Sequence, residues 1–189
     1  MGTRGRKRKQ GVDRYACGEI KRDQRGETSA DAMATALKAR AKRVGAENAH
    51  KYEAGFELGK AYLRGQIKRH HLKAGEQWAL DVDRYHRMMG IPSPFPKAQD
   101  WMSVKGQSGA EPSAEQIRNT ANRHMLAMTA LADAGRIPAH ACKEVCIMET
   151  DAGAWPSHML RALQRGLQAL ADLYRISEFD EEEDVGRAA

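Results

Sequence analysis

The stretch SHMLRALQRGLQALADLYR, residues 157–175, constrains this chain more than any other. Leu160, Leu163, Leu167, Leu170 and Tyr174 recur at intervals of three, four, three and four. That spacing returns to one side of an α-helix and to no side of a strand. It predicts a helix with one buried face and an opposite polar face carrying His158, Arg161, Arg165 and Gln168. Ser157 and Gln164 fall at the rim, where the Ser157 hydroxyl is also free to cap the helix. Such a stripe serves either as an internal core face or as a dimer seam. The preceding apolar segment offers it a partner, so the core is the expected place.

The remaining segments also read as helices. The chain has 189 residues, is 41% hydrophobic and only 6% aromatic, so its core must come from Leu, Ala, Met and Val. Ala and Leu lose little side-chain freedom in a helix. The expected fold class is all-α: one or more small helical bundles with a C-terminal helix-turn-helix-like unit, a disordered basic N-terminal arm and an acidic C-terminal tail. Residues 1–28 are charged, contain glycine and lack large apolar side chains, which predicts disorder. Residues 29–90 form a basic helical region, with Thr28 or Ser29 as cap and Gly45 as an interruption. Within it Tyr52, Phe56, Gly59 and Leu63 predict one buried stripe, and Leu72, Trp78, Val82, Tyr85 and Met89 another. RGQIKRHH reads as a tight turn between them. Gly90 and the prolines of IPSPFP open a linker over 91–112. The helical domain 113–176 starts with Ser113 as cap and Gln116 as its capping-box partner. Ile117, Ala121, His124 or Met125, Met128 and Leu131 are its expected inner positions, with His124 a core or boundary residue. In the short helix after DAGRIP, the inner face is assigned to Cys142, Val145, Cys146 and Met148. Residues 177–189 form the acidic tail.

Charge is divided along the chain. Residues 1–75 hold 19 Lys and Arg against 8 Asp and Glu, whereas residues 76–189 hold 12 against 17. The arm opens MGTRGRKRKQ, with Arg4, Arg6, Lys7, Arg8 and Lys9. Such blocks attract polyanions by releasing counterions. Lys68 and Arg69 are read as part of the same basic surface, with His70, His71 and Lys73 extending it. DNA is the expected partner, and RNA phosphates would be held in the same way. TRGRKRK resembles the minor-groove hook built around Arg-Gly-Arg-Pro, with Lys in place of Pro.

No pattern of catalysis stands out. There is no glycine-rich phosphate loop, no His-Glu-x-x-His and no Cys-x-x-Cys. His70, His71 and Glu76 have the chemistry for a base and a ligand, but adjacent helical residues diverge by about 100°. Cys142 and Cys146 with His140 supply half a zinc site at most, and read better as small buried hydrophobes. No catalytic residue, metal or cofactor is therefore assigned. No segment has the roughly 18 apolar residues of a membrane span. The basic start lacks the apolar stretch of a signal peptide. A cytoplasmic protein is the expectation.

From Pro138 to Arg175 a short helix, a Gly-containing turn and a longer helix follow one another, the order of a helix-turn-helix. Arg and Gln on the second helix suit guanine and adenine edges. AGEQWALDVDRYHR, QDW and CKEVCIMETDAGAWPSHMLRALQRGLQALADLY together resemble a family of bacterial and prophage proteins of unknown function. These carry an AGE-type helix, a Cys-containing helix, a WP turn and a closing Leu-x-x-Leu-Ala-x-x-Tyr. The resemblance covers residues 70–175 and rests on Cys146, Trp155, Pro156, Leu167, Leu170, Ala171 and Tyr174, with a shorter segment here before the WP turn. In several members the module sits in helix-turn-helix regulators, which implies a phage- or prophage-type transcriptional regulator acting as an oligomer on DNA. Two alternatives remain open. One is a DNA-packaging subunit resembling a phage small terminase, assembled as a ring. The other is a non-enzymatic adaptor that meets a protein partner through the acidic tail.

Overall fold

The computed structural model describes Ala16, the backbone over 25–95 with side chains from Ala32, and residues 112–178. Among these residues there are six α-helices and no strand. None is long and apolar enough to cross a membrane.

The first helix, α1 (Arg25–Val44), begins before the expected caps, so Thr28 and Ser29 lie within it. It stops at Gly45, whose φ of 89° is open to glycine without a Cβ clash. A 3-10 turn (Tyr52–Gly55) leads into the short α2 (Glu57–Leu63). The expected stripe is formed only in part: Gly59 is buried and Phe56 and Leu63 are half-buried, with Phe56 packed on the core, but Tyr52 is left out of it. Tyr52 is 79% exposed, and Leu58 and Ala61 turn inward instead, because the 3-10 turn breaks the 3.6-residue register.

The helix α3 (Arg69–Met89) follows a turn and ends at Gly90 in the left-handed region. Leu72, Trp78 and Val82 are buried, whereas Met89 at the helix end is exposed. Beyond the undescribed 96–111, α4 (Ala114–Ala134) starts with the expected reciprocal cap. Ser113 Oγ accepts from the Gln116 N–H at 3.2 Å, and Gln116 Oε1 accepts from the Ser113 N–H at 3.0 Å. Its inner line is Thr120, Ala127 and Leu131, with His124 half-buried; Met125 and Met128 point outward.

After Gly135 come α5 (Arg136–Cys146), a 3-10 turn (Ala152–Ala154) and α6 (Ser157–Tyr174). Cys142, Val145 and Cys146 face inward as expected, but Ile147 is buried in place of Met148. Leu163, Leu167 and Leu170 on α6 have no exposed surface. They lie in the chain's own core, where α6 packs on α3, α4 and α5. That single core draws residues from both sides of the Pro/Gly segment: Leu58, Leu72 and Trp78 before it, Leu131, Val145 and Leu167 after it. Most of the arm and most of the tail lie outside the described residues, Arg4, Arg6, Lys7, Arg8 and Lys9 among them.

Candidate nucleic-acid interface

The outward face of α6 is fixed by its inward one. With Leu163, Leu167 and Leu170 at 0% exposure, His158, Arg161 and Arg165 stand in solvent. Neither guanidinium is paired with a carboxylate among the described residues. Arg161 and Arg165 are one helical turn apart and so project side by side. On the packed neighbour α5, Arg136 and Lys143 also reach the surface side of the helix, away from its buried line of Ala141, Cys142 and Val145. These two were not singled out from sequence, although the inner face assigned to Cys142, Val145 and Cys146 leaves them on the opposite side.

Gln168 belongs to a different structure. Its Oε1 meets His70 Nε2 at 3.2 Å and His71 Nε2 at 3.0 Å, and its Nε2 donates to Asp172 Oδ1 at 2.8 Å. The partner of His71 Nδ1 is the Lys68 backbone N–H at 3.5 Å, so the ring proton sits on Nε2 and is donated to Gln168. The expected place of His70 and His71 on an exposed basic face is therefore corrected. Both are buried, at 4% and 7% exposure, with ring centroids 4.1 Å apart. Burial lowers the His71 pKa from 6.5, against the opposing Gln168 hydrogen bond, and His70 and Lys68 add to the lowering.

Lys68 is exposed but ion-paired with Glu178, the last described residue of the tail. That pair holds the Glu178 carboxyl below the usual carboxylate range. Arg69 is half-buried and engaged. At the rim, Gln164 donates to the Gln66 carbonyl at 2.7 Å, tying α6 to the turn before α3. Ser157 does not cap α6; Pro156 occupies that position.

The connection from α5 to α6 runs from Ile147 to Pro156. A tight helix-turn-helix uses about three or four residues there. The longer loop is built rather than slack. Asp151 Oδ1 accepts from the Gly153 N–H at 2.8 Å and from Arg64 Nη1 at 2.7 Å, and Thr150 Oγ1 donates to Glu144 at 2.8 Å.

A second polar centre clasps the bundle. Asp81, 2% exposed, accepts from Tyr174 Oη at 3.1 Å and from Gln77 Nε2 at 3.2 Å, with Arg123 Nε 3.8 Å away. It joins α3, α4 and α6. Burial, with Asp81 beside it, raises the Tyr174 pKa above its usual value. His124 stacks on Tyr85 at 4.2 Å with the rings 6° from parallel. Both α5 thiols are raised by burial, Cys142 to about 12, which removes thiolate character. His140, on the same helix, is exposed.

No family model, no curated protein and no solved structure matches the chain.

Proposed function

We propose that this protein binds DNA through the outward face of α6 and the basic arm, as a transcriptional regulator of the phage or prophage type. The observation that carries the reading is the pair Arg161 and Arg165. They are displayed on a rigid helix whose opposite face is locked in the core, with no acid among the described residues neutralising them. Guanidinium groups held in that way can grip phosphates or bond bidentately to guanine edges. The arm supplies further cations for phosphates. Gln168 is withdrawn from the reading set, because its amide is committed to the two histidines. Lys68 contributes only when it leaves Glu178. The leucine stripe lies inside the core and lends no support to ring assembly through it.

Arg161→Ala and Arg165→Ala should leave the fold intact, since both side chains are exposed. On a duplex selected from a random pool, each should cost about 1–3 kcal/mol of binding, and much less on unselected duplex. Competition binding against duplex DNA and RNA of matched length measures both. Equal losses on every sequence would reduce the helix to a phosphate clamp. Failure of the wild type to bind duplex DNA at low salt would end the proposal.

A further inference from the structure

We propose that the cleft between α3 and the chain over 52–58 is a binding site for an organic ammonium ion with an apolar body. This goes beyond the DNA reading and does not depend on it. The cleft holds about 480 Å³, within the range of small-molecule sites. Phe56, Leu58, Ala79, Leu80 and Phe95 make its apolar wall, and Tyr52 stands at its mouth.

Its floor is closed by a close approach at Gly75. A Cβ there would lie 2.5 Å from Leu58 Cδ2, 3.1 Å from Leu167 Cδ2 and 3.2 Å from Cys146 Sγ. The next residue, Glu76, is then carried into the cleft lining.

The charge in the cleft is one-sided. Asp83 is neutralised by Arg87 four residues on. Glu76 and Glu149 are not neutralised: neither has a cationic partner among the described residues. The Glu76 carboxyl is half-buried, and burial, with Glu53 nearby, raises its pKa. Glu149 is held at the cleft by its backbone and by its side chain. Its φ is 56°, a region that non-glycine residues rarely occupy, and its Oε2 accepts the Glu57 N–H at 3.2 Å. A carboxylate left without a counterion beside apolar walls favours a cation over a neutral or anionic guest. The tilted rings of Tyr52 and Phe56, 5.4 Å apart, add aromatic faces suited to an ammonium group. The apolar wall selects a guest with a hydrocarbon body over a metal ion or a hydrated inorganic cation.

Isothermal titration of the full chain at neutral pH tests this with three probes sharing one body: 4-phenylbutylamine, 4-phenylbutan-1-ol and 4-phenylbutyrate. The amine should saturate at one per chain and bind about tenfold or more tighter than the alcohol, with the carboxylate weakest. In Glu76→Gln and in Glu149→Gln the advantage of the amine over the alcohol should shrink while alcohol affinity stays unchanged, which also reports an intact cleft. Equal affinity of the three probes overturns the proposal. So does failure of the amine to saturate, or an amine advantage that survives both substitutions.

Discussion

Gly166 sets how near α5 and α6 approach each other. A Cβ at this position would stand 2.5 Å from Cys142 Sγ and 3.0 Å from the Pro138 carbonyl oxygen. Neither neighbour can yield easily, since Cys142 has no exposed surface and the other atom is backbone. Replacing a mid-helix glycine by alanine ordinarily gains about 0.5–1 kcal/mol. Overpacking costs about 1–3 kcal/mol, so the clash should win. Gly166→Ala should lower the urea midpoint while leaving the m-value unchanged. A midpoint that stays or rises would show that the α5–α6 contact is softer than its distances imply. The same reasoning explains the small residues at the centre of the bundle. Ala127 on α4 and Ala141 on α5 are fully buried because helices that meet closely have room for a methyl and little more.

At the scale of elements, the α3–α6 clasp is built from His70, His71 and Gln168 and should show in the acid limb of stability. The folded His71 pKa lies below its ordinary 6.5. Between those two values the unfolded chain binds more protons than the folded one. Stability is therefore full above about pH 6.5 and declines as pH falls toward the folded pKa. Burial and the neighbouring His70 and Lys68 act in that direction, and the Gln168 bond acts against it. Gln168→Leu keeps the bulk and removes the acceptor, which leaves buried imidazole N–H groups unsatisfied. It should cost about 1–3 kcal/mol at neutral pH, and the acid decline should deepen because the hydrogen bond that raises the His71 pKa is gone. Urea melts at pH 5, 6 and 7.5 measure both. Equal pH dependence in the two proteins would show that Gln168 does not bear on the titration.

That clasp also marks where local reading stops. The leucine stripe of α6 and the Ser113–Gln116 cap were legible because their causes lie within a turn or two of sequence. The burial of His70 and His71 was not. Spacing and charge placed them with Lys68 and Lys73, whereas their inward turn depends on an amide 97 or more residues away. On α4 the large apolar Met125 and Met128 attracted the inward assignment, but the buried line runs through Thr120, Ala127 and Leu131, and both methionines fall off it. The exposed arginines of α6 followed from the stripe. The cleft carboxylates Glu76 and Glu149 did not, since folding alone brings both into the lining of one cleft.

At the scale of the whole molecule, charge separates into a basic start and an acidic end, and one described contact joins the two themes. Glu178 meets Lys68, so the tail begins beside a lysine of the proposed DNA surface. Beyond it, Asp180, Glu181, Glu182, Glu183 and Asp184 lie outside the described residues, yet their charge is a property of the sequence. A tethered polyanion acts at an effective concentration on the order of millimolar. On the proposed DNA reading it would therefore compete with phosphate for the cations of the same chain without tight binding. Removing residues 177–189 should strengthen binding to random duplex, most at low salt where screening is weakest. Binding to a selected site should gain less, because base contacts are not shared with the tail. Lys68→Ala should reduce part of the gain, since Lys68 is ion-paired with Glu178 of the tail. Removing the arm, residues 1–10, should have the opposite sign and should lower the salt slope by about 0.9 for each phosphate that the arm neutralises. The measurement is a titration of full-length and tail-truncated protein on random duplex at two salt concentrations. Equal affinities at low salt would mean that the tail does not mask the basic surface, and that its carboxylates act on solubility or on a protein partner instead.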